Sequence, residues 1–209
     1  ISAKILQNFL VIIAGRIRNT NNLIKENSPV IQELKNQVYR DKLTGLYNKT
    51  FLEEHIRDLL HNEGASVALL MIKPDNYKFI NDTYGHEAGD HTLQIMAREL
   101  QAELEGNGLA VRFMGNELCA VLPDRNREES LSFARKIQNR MNRLDLSPVI
   151  GEREFSLSVS IGIAVYPDPA FPEEPPSGER LIERAHELPL IGRARGGNMI
   201  LFPEDKEVH

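Results

Sequence analysis

The chain has 209 residues, of which 41% are hydrophobic, and a formal net charge of −5. This composition is typical of a soluble globular protein, and the length suggests one domain of about 150–170 residues with an appendage. No dense run of Lys and Arg is present, which argues against sequence-independent binding to duplex nucleic acid. The single cysteine, Cys119, excludes an intramolecular disulfide and a cysteine-based zinc cluster, and it fits a reducing, cytoplasmic setting.

The beginning of the sequence indicates a fragment. Its longest apolar run, Phe9 to Ala14, is far shorter than the ~20 residues that a membrane span needs. There is no initiating Met, and Ile1 opens inside a helical pattern. We therefore expect a domain or membrane segment upstream of the sequence in hand.

Residues 1–40 are predicted to be helical. Their apolar positions alternate steps of four and three, the spacing of a coiled-coil seam, with a break and restart at Ser28-Pro29. Two interpretations stay open: an amphipathic helix packed on its own domain, or a helix that dimerises or transmits a signal. The seam positions are Leu6, Leu10, Ile13, Ile17, Thr20, Ile24, Asn27, Ile31, Leu34 and Val38.

From residue 41 onward, helical and extended patterns alternate. The continuous apolar run over 66–72 indicates a buried central strand, and Pro189 should kink or shorten the last helix. The predicted elements are a helix over 48–62, a strand over 66–72, a loop with a short helical turn over 75–89, a helix over 91–105, hairpin strands over 109–113 and 118–122, a helix over 127–144, a strand over 155–165, a proline-rich loop over 168–178, a helix over 178–195 and a strand over 198–202.

This order predicts an α+β fold, with a mostly antiparallel five-stranded sheet flanked by helices, as in ferredoxin-like and polymerase-palm folds. We expect three segments: leading helices over 1–40, a domain over 41–203 and a tail over 204–209.

The histidines show no metal-binding spacing, so His61, His91 and His186 are predicted to be surface residues.

Four motifs, in the right order, resemble the GGDEF family of diguanylate cyclases. The resemblance spans residues 41–202 and implies the palm-like fold of that family. The motifs are Asp41-Lys-Leu-Thr-Gly-Leu-Tyr-Asn48, Asn81-Asp-Thr-Tyr-Gly-His-Glu-Ala-Gly-Asp90, Arg112-Phe-Met-Gly-Asn-Glu-Leu118 and Ser158-Val-Ser-Ile-Gly-Ile-Ala-Val-Tyr-Pro167.

Active members of this family join two GTP molecules, each held by one of two facing domains, and release pyrophosphate. Divalent ions must neutralise the triphosphates and polarise the reacting oxygens. Magnesium takes hard oxygen ligands, usually including one or two carboxylates. In the family, one carboxylate is the first aspartate of an Asp-x-Asp motif at the end of the first strand, and another is the third residue of the signature hairpin.

Both metal-ligand positions are altered in this chain. The register set by Asn81-Asp82 places Lys73 at the first aspartate, and the signature reads Met114-Gly115-Asn116-Glu117-Leu118. An ammonium repels a divalent ion by roughly 4 kcal/mol per charge at ~4 Å and an effective dielectric of ~20. Met114 also replaces a glycine that allows the backbone to approach phosphate closely. The resemblance therefore implies no magnesium cofactor, no metal site and no cyclase activity.

An alternative register keeps catalysis possible. A shift of alignment would make Asp75 a metal ligand, or Glu117 could take over the role of the altered hairpin residue.

The residues just upstream of the hairpin, 105–108, lack the arginine and the aspartate of the family's product-inhibition site. Binding of cyclic di-GMP through that site is therefore not expected.

Residues that hold the nucleotide in the family are partly retained. Asn81 and Asp90 match the pair that reads guanine, and Lys78 matches a phosphate-contacting lysine. Arg193 replaces a second phosphate lysine, and Lys73 adds another cation. The alternative is that Asn81 and Asp90 persist as loop and helix-cap residues.

These observations predict a catalytically inactive signalling domain, which acts as a regulatory or protein-interaction module in a cyclic di-GMP-related pathway. Two alternatives stay open: a metal-independent sensor of GTP, and a weak or altered cyclase. The expected partners are a guanine nucleotide and a protein, or a second copy joined through the leading helices.

Overall fold

The computed structural model describes residues 29–31, 33–62, 64–151, 155–168, 170 and 177–207. The chain divides into two compact units, Ile1–Arg40 and Asp41–His209. In the described ranges, no helix combines the length and the apolar character needed to cross a bilayer.

The described part of the first unit is helical over 29–31 and 33–39. Three residues of the predicted seam, Ile31, Leu34 and Val38, have 49%, 55% and 55% of their surface exposed. The rest of the seam and Ser28 of the predicted break lie outside the described residues. Pairing through this helix stays a prediction.

The second unit is built on one mixed sheet. Its strands are β1 (Val67–Pro74), β2 (Leu109–Met114), β3 (Glu117–Pro123), β4 (Val159–Tyr166) and β5 (Ile200–Leu201). They lie in the order β2-β3-β1-β4-β5, and every neighbouring pair is antiparallel except β4 and β5, which are parallel. The predicted five-stranded, mostly antiparallel sheet is confirmed.

Helices cover both faces of the sheet. They are α1 (Lys49–Leu60), α2 (Tyr77–Tyr84), α3 (His86–Glu103), α4 (Arg127–Met141), α5 (Ser147–Ile150) and α6 (Gly178–Ala194), followed by a 3-10 helix at Pro203–Glu207. Successive side chains of β1 point to opposite faces. Leu70 and Ile72 pack in the cluster that includes α3 and α4, whereas Leu69 and Met71 pack in the cluster that includes α1 and α6. Burial on both faces explains why the strand reads as a continuous apolar run.

Four of the predicted elements differ from those in the structure. The segment 75–89, expected to be mostly loop, contains α2, and α3 begins at His86 rather than at residue 91. Gly85 separates the two helices with a φ of 88°, which a residue with a side chain rarely adopts, so the chain can turn there without a long loop. Strand β4 begins at Val159 rather than 155, and β5 is shorter than the predicted 198–202.

Pro189 does not shorten the last helix, because α6 continues to Ala194. Proline has no N–H to donate to the carbonyl of Ala185 four residues earlier. That carbonyl faces β4 at Gly162, where an added Cβ would lie 2.4 Å from the Ala185 oxygen and 2.8 Å from Pro189 Cδ. The glycine therefore allows α6 to pack closely on the sheet despite the internal proline.

Candidate functional site

The predicted metal-ligand position on β1 is occupied by a lysine that forms an ion pair within the protein. Lys73 lies near the end of β1, and Glu117 is the first residue of the neighbouring β3. The Lys73 ammonium binds Oε1 of Glu117. The Lys73 side chain is 15% exposed and that of Glu117 is 3% exposed, so the pair is largely removed from water.

The second oxygen of Glu117 faces a histidine. Glu117 Oε2 lies 3.0 Å from Nδ1 of His186, a separation within ion-pair range if the imidazole is protonated. Neither atom makes an aligned hydrogen bond, although both are buried. We therefore interpret the contact as proximity without a hydrogen bond. The imidazole also lies 5.0 Å from the ring of Phe113, measured between centroids.

The sequence predicted that His186 is a surface residue, but in the structure it is partly buried. Its side chain is 29% exposed and lies on α6 against the β2–β3 hairpin. His61 and His91 are exposed, as predicted. The sequence contained one signal for His186: in the resemblance to the GGDEF family, Ala185-His186 lies where a late motif of the family has Ala-Asp, so His186 stands at the position of an aspartate.

The hairpin between β2 and β3 is held by a network around Arg112. Its guanidinium donates to the carbonyl of Gly115, at 2.8 and 3.1 Å, and to both carboxylate oxygens of Asp41 at 3.1 Å. Burial raises the pKa of the Asp41 carboxyl, but hydrogen bonds from Thr44 and Arg112 outweigh it and hold that pKa below its ordinary value. At the apex, Met114 is 45% exposed and Asn116 is half-buried.

Asp75, the alternative metal ligand, is engaged in three hydrogen bonds. It accepts from the hydroxyls of Ser158 at 2.8 Å and Ser160 at 2.7 Å, and from the backbone N–H of Asn198 at 2.8 Å. An added Cβ on Gly197 would lie 2.9 Å from this carboxylate. Asp75 thus joins the end of β1 to β4 and to the segment that follows α6.

The described residues contain no group of three or more His, Cys, Asp or Glu side chains arranged to hold a metal ion. Both carboxylates of the alternative register, Asp75 and Glu117, already have partners. Magnesium prefers carboxylate and other oxygen ligands in near-octahedral geometry. A metal bound through Asp75 or through Oε1 of Glu117 would compete with these internal contacts.

The residues predicted to read guanine lie at the junction of α2 and α3. Asn81 belongs to α2, and Asp90 is exposed on α3. The Asn81 Oδ1 atom is buried without a hydrogen-bond partner. It lies directly over Gly89, where an added Cβ would be only 1.9 Å away. A glycine at this position of α3 is therefore required for the observed placement of the Asn81 amide.

The three side chains predicted to bind phosphate differ in their exposure to solvent. Lys78 on α2 and Arg193 in the last turn of α6 are both exposed. Lys73 is instead directed to Glu117 and has little exposed surface. Of the three predicted cations, Lys78 and Arg193 are therefore the two that are exposed to solvent.

Comparison with known proteins identifies the same family as the sequence motifs. The profile described as "Diguanylate cyclase, GGDEF domain" matches residues 38–198. "Diguanylate cyclase DosC" of Escherichia coli (strain K12) is 29% identical over 222 residues, which cover 95% of this chain and 47% of DosC. "Response regulator PleD" of Caulobacter vibrioides is 29% identical over 164 residues, covering 77% of this chain and 35% of PleD. The chain therefore spans less than half of either relative.

Solved structures agree on the fold. The GGDEF domain of PA1120 (TpbB or YfiN) from Pseudomonas aeruginosa matches with a TM-score of 0.68 and 28% identity, covering 78% of this chain and 94% of that chain. Diguanylate cyclase SiaD from Pseudomonas aeruginosa, solved with its activator SiaC, matches with a TM-score of 0.76 and 23% identity, covering 96% of this chain and 75% of that chain. With its family profile, its four motifs and its five-stranded sheet in agreement, the chain belongs to the GGDEF family.

Proposed function

We propose that this GGDEF domain is catalytically inactive and acts as a regulatory or protein-interaction module in a cyclic di-GMP-related pathway. The observation that supports the proposal best is the buried ion pair between Lys73 and Glu117. It places a cation at one metal-ligand position and engages a neighbouring carboxylate.

The ion pair opposes metal binding in two ways. The Lys73 ammonium repels a divalent ion, and it neutralises the one acidic side chain retained in the hairpin signature. Asn116, at the second ligand position, carries no charge to compensate. A triphosphate that reacts through metal-polarised oxygens would therefore meet Glu117 with one of its oxygens already bound to the Lys73 ammonium.

Exposed apolar side chains near the same edge support an interaction function. Met114 at the hairpin apex is 45% exposed, and Leu190 is 48% exposed. Leu190 follows His186 by four residues on α6, which places both on the same side of the helix. Apolar groups around a site without metal ligands suit contact with a protein better than contact with a triphosphate.

The test is metal binding and product formation in the wild type and in a variant that restores both carboxylates, Lys73→Asp/Asn116→Asp. We expect no cyclic dinucleotide from the wild type with GTP or ATP and either Mg²⁺ or Mn²⁺, measured by mass analysis. The double variant should bind Mn²⁺ at least about tenfold more tightly than the wild type, since two hard ligands replace a cation and an amide.

A matched control makes the same change of charge elsewhere. Lys136→Asp/Asn139→Asp alters two exposed positions of α4 and should leave Mn²⁺ affinity unchanged. Cyclic dinucleotide above the blank from the wild type would establish a weak or altered cyclase instead.

A second candidate function is metal-independent binding of a guanine nucleotide. It is favoured by the Oδ1 atom of Asn81, a buried acceptor whose hydrogen bond is not supplied by the described residues. Asp90 lies on the neighbouring helix, and Lys78 and Arg193 are exposed to receive phosphates. A nucleotide held in this way would need neither Lys73 nor a metal.

Calorimetry with GTP tests this candidate. We expect binding heat both with Mg²⁺ and with EDTA, and a loss of at least about tenfold in affinity for Gly89→Ala, because the new methyl group would displace the Asn81 amide. The fold should persist, since the closest atoms are ends of side chains and alanine favours helix over glycine by roughly 1 kcal/mol. Absence of heat from the wild type in both conditions would exclude nucleotide sensing.

A further inference from the structure

A groove between α3 and α4 lies outside the site described above. It encloses a cavity of about 730 Å³, which is within the usual size range of binding pockets. Each helix lines the groove with one face, because the lining positions on a helix recur three, four or seven to eight residues apart. The charged residues of these two faces are Arg98, Glu99 and Glu103 from α3 and Lys136, Arg140 and Arg143 from α4 and the turn after it.

Arg140 holds both glutamates of the groove. Its Nε atom donates to a carboxylate oxygen of Glu99 at 2.7 Å, and its Nη1 atom donates to one of Glu103 at 3.0 Å. The guanidinium thus joins α4 to α3 and partly neutralises the two carboxylates. A ligand in the groove would meet these acids already paired.

Three other cations of the groove remain available to a ligand. Arg98, Lys136 and Arg143 are exposed, and none of them forms an ion pair with another described residue. One further acid, Asp145, also lines the groove, and it accepts a hydrogen bond from the backbone N–H of Ser147 at 2.9 Å. The groove therefore carries a formal charge of about +1 on a chain whose formal net charge is −5.

The groove also has an apolar part. It is formed by Ile95 of α3, by Leu144 after α4 and by Pro148 of α5. Ile95 and Leu144 pack against the core on one side and line the groove on the other. A ligand that fits must therefore offer apolar groups together with negative charges.

We propose that this groove binds an acidic, amphipathic segment of a partner protein. The inference rests on the proposed protein-interaction function and names its surface. Apolar side chains of the segment would cover Ile95 and Leu144, and its carboxylates would pair with Arg98, Lys136 and Arg143. An amphipathic helix laid in a groove is a common mode of peptide recognition.

The acids of the groove favour a peptide over a continuous polyanion. Duplex DNA carries one negative charge per about 1.7 Å of its axis, and an anionic membrane surface is also densely charged. Such a surface would bring negative charge against Glu99, Glu103 and Asp145 as well as against the cations. A peptide can instead space its carboxylates so that they meet the cations alone.

The test uses a labelled peptide of about 14 residues in which pairs of leucines alternate with pairs of glutamates, a pattern that gives an acidic amphipathic helix. Fluorescence anisotropy measures its affinity for the whole chain. One control peptide has lysines in place of the glutamates, and a second has serines in place of the leucines. We expect the wild type to bind the acidic leucine peptide at least about tenfold more tightly than either control.

Two double variants locate the binding. Lys136→Glu/Arg143→Glu reverses two cations of the groove and should weaken binding of the acidic peptide at least about tenfold. The matched control, Lys42→Glu/Arg135→Glu, makes the same change of charge at positions that do not line the groove and should leave the affinity unchanged. All four positions are exposed, so both variants are expected to unfold at the same temperature as the wild type.

The outcomes separate this inference from the function on which it rests. Equal weakening in both double variants would reduce the effect to net charge and overturn the inference. Tighter binding of a DNA duplex of about 20 base pairs, or of phosphatidylserine vesicles, than of the peptide would also overturn it. Absence of peptide binding would overturn it without bearing on catalysis. Cyclic dinucleotide produced by the wild type would refute the proposed inactivity while a positive peptide result still supported the groove.

Discussion

Replacing Lys73 with methionine should lower the free energy of unfolding by about 3 kcal/mol, because it leaves the Glu117 carboxylate buried without its cation. The Glu117 side chain is only 3% exposed, so water cannot substitute for the ammonium. Methionine retains most of the length of the lysine stem, and the loss of packing is therefore small. Urea-induced unfolding at neutral pH measures the difference.

A double-mutant cycle isolates the ion pair. Combining Lys73→Met with Glu117→Gln removes the uncompensated charge and should recover a substantial part of the loss, which gives a coupling energy of about 1–3 kcal/mol. The matched control is Lys78→Met, an exposed lysine on α2, with an expected effect within ~0.5 kcal/mol. Equal losses for Lys73→Met and Lys78→Met would show that the buried pair contributes nothing specific.

The ion pair also constrains how metal binding could be regained. Lys73→Asp alone would remove the cation that binds Glu117 and place a second carboxylate beside it. Two like charges would then face each other at a position largely removed from water. The same change is therefore expected to destabilise the metal-free protein while it creates a metal ligand. Bound Mn²⁺ should recover part of this stability, since a ligand that binds only the folded state stabilises it.

Most of the fold could be predicted because its signals are local. The apolar run at 66–72 specified a central strand, and the hairpin signal at Met114–Glu117 was confirmed as the β2–β3 turn. The region 75–89 was misjudged, since its polar residues are compatible with either loop or surface helix. A positive φ at Gly85 allows two helices to follow each other there, and φ values cannot be read from residue periodicity.

The candidate site could be located from the sequence, but its internal contacts could not. Lys73 and Asn116 were identified from their positions in family motifs. The partner of Lys73 is Glu117, 44 residues further along the chain, and it depends on the register that pairs Ile72 with Leu118. His186 reaches the same carboxylate from α6, so its role depends on how that helix packs on the sheet.

Asp75 illustrates the same limit for a residue that matched the family pattern. The sequence suggested it as an alternative metal ligand, whereas its two oxygens accept three hydrogen bonds from Ser158, Ser160 and Asn198. These donors lie 83, 85 and 123 residues away. Short polar side chains in strands and turns carry no pattern that reveals such long-range partners.

Replacing Asp75 with alanine should therefore lower the free energy of unfolding by about 3 kcal/mol, even though Asp75 is not catalytic in our proposal. Hydrogen bonds to a charged acceptor contribute roughly 1.5–3 kcal/mol each, and partial rehydration of the exposed donors reduces their sum. Ser160 is completely buried, so its hydroxyl would stay without a partner. Urea unfolding measures the loss, and faster hydrogen exchange at the Asn198 amide should locate it.

Two further variants define the origin of this effect. Asp75→Asn keeps one acceptor oxygen and should lose about half as much stability as Asp75→Ala. Asp82→Ala removes an exposed carboxylate from α2 and should change stability by no more than ~0.5 kcal/mol. If Asp75→Ala proved as mild as Asp82→Ala, the carboxylate would not be joining β1, β4 and the segment after α6. Asp75 would then again be a candidate for the metal ligand that the family pattern requires.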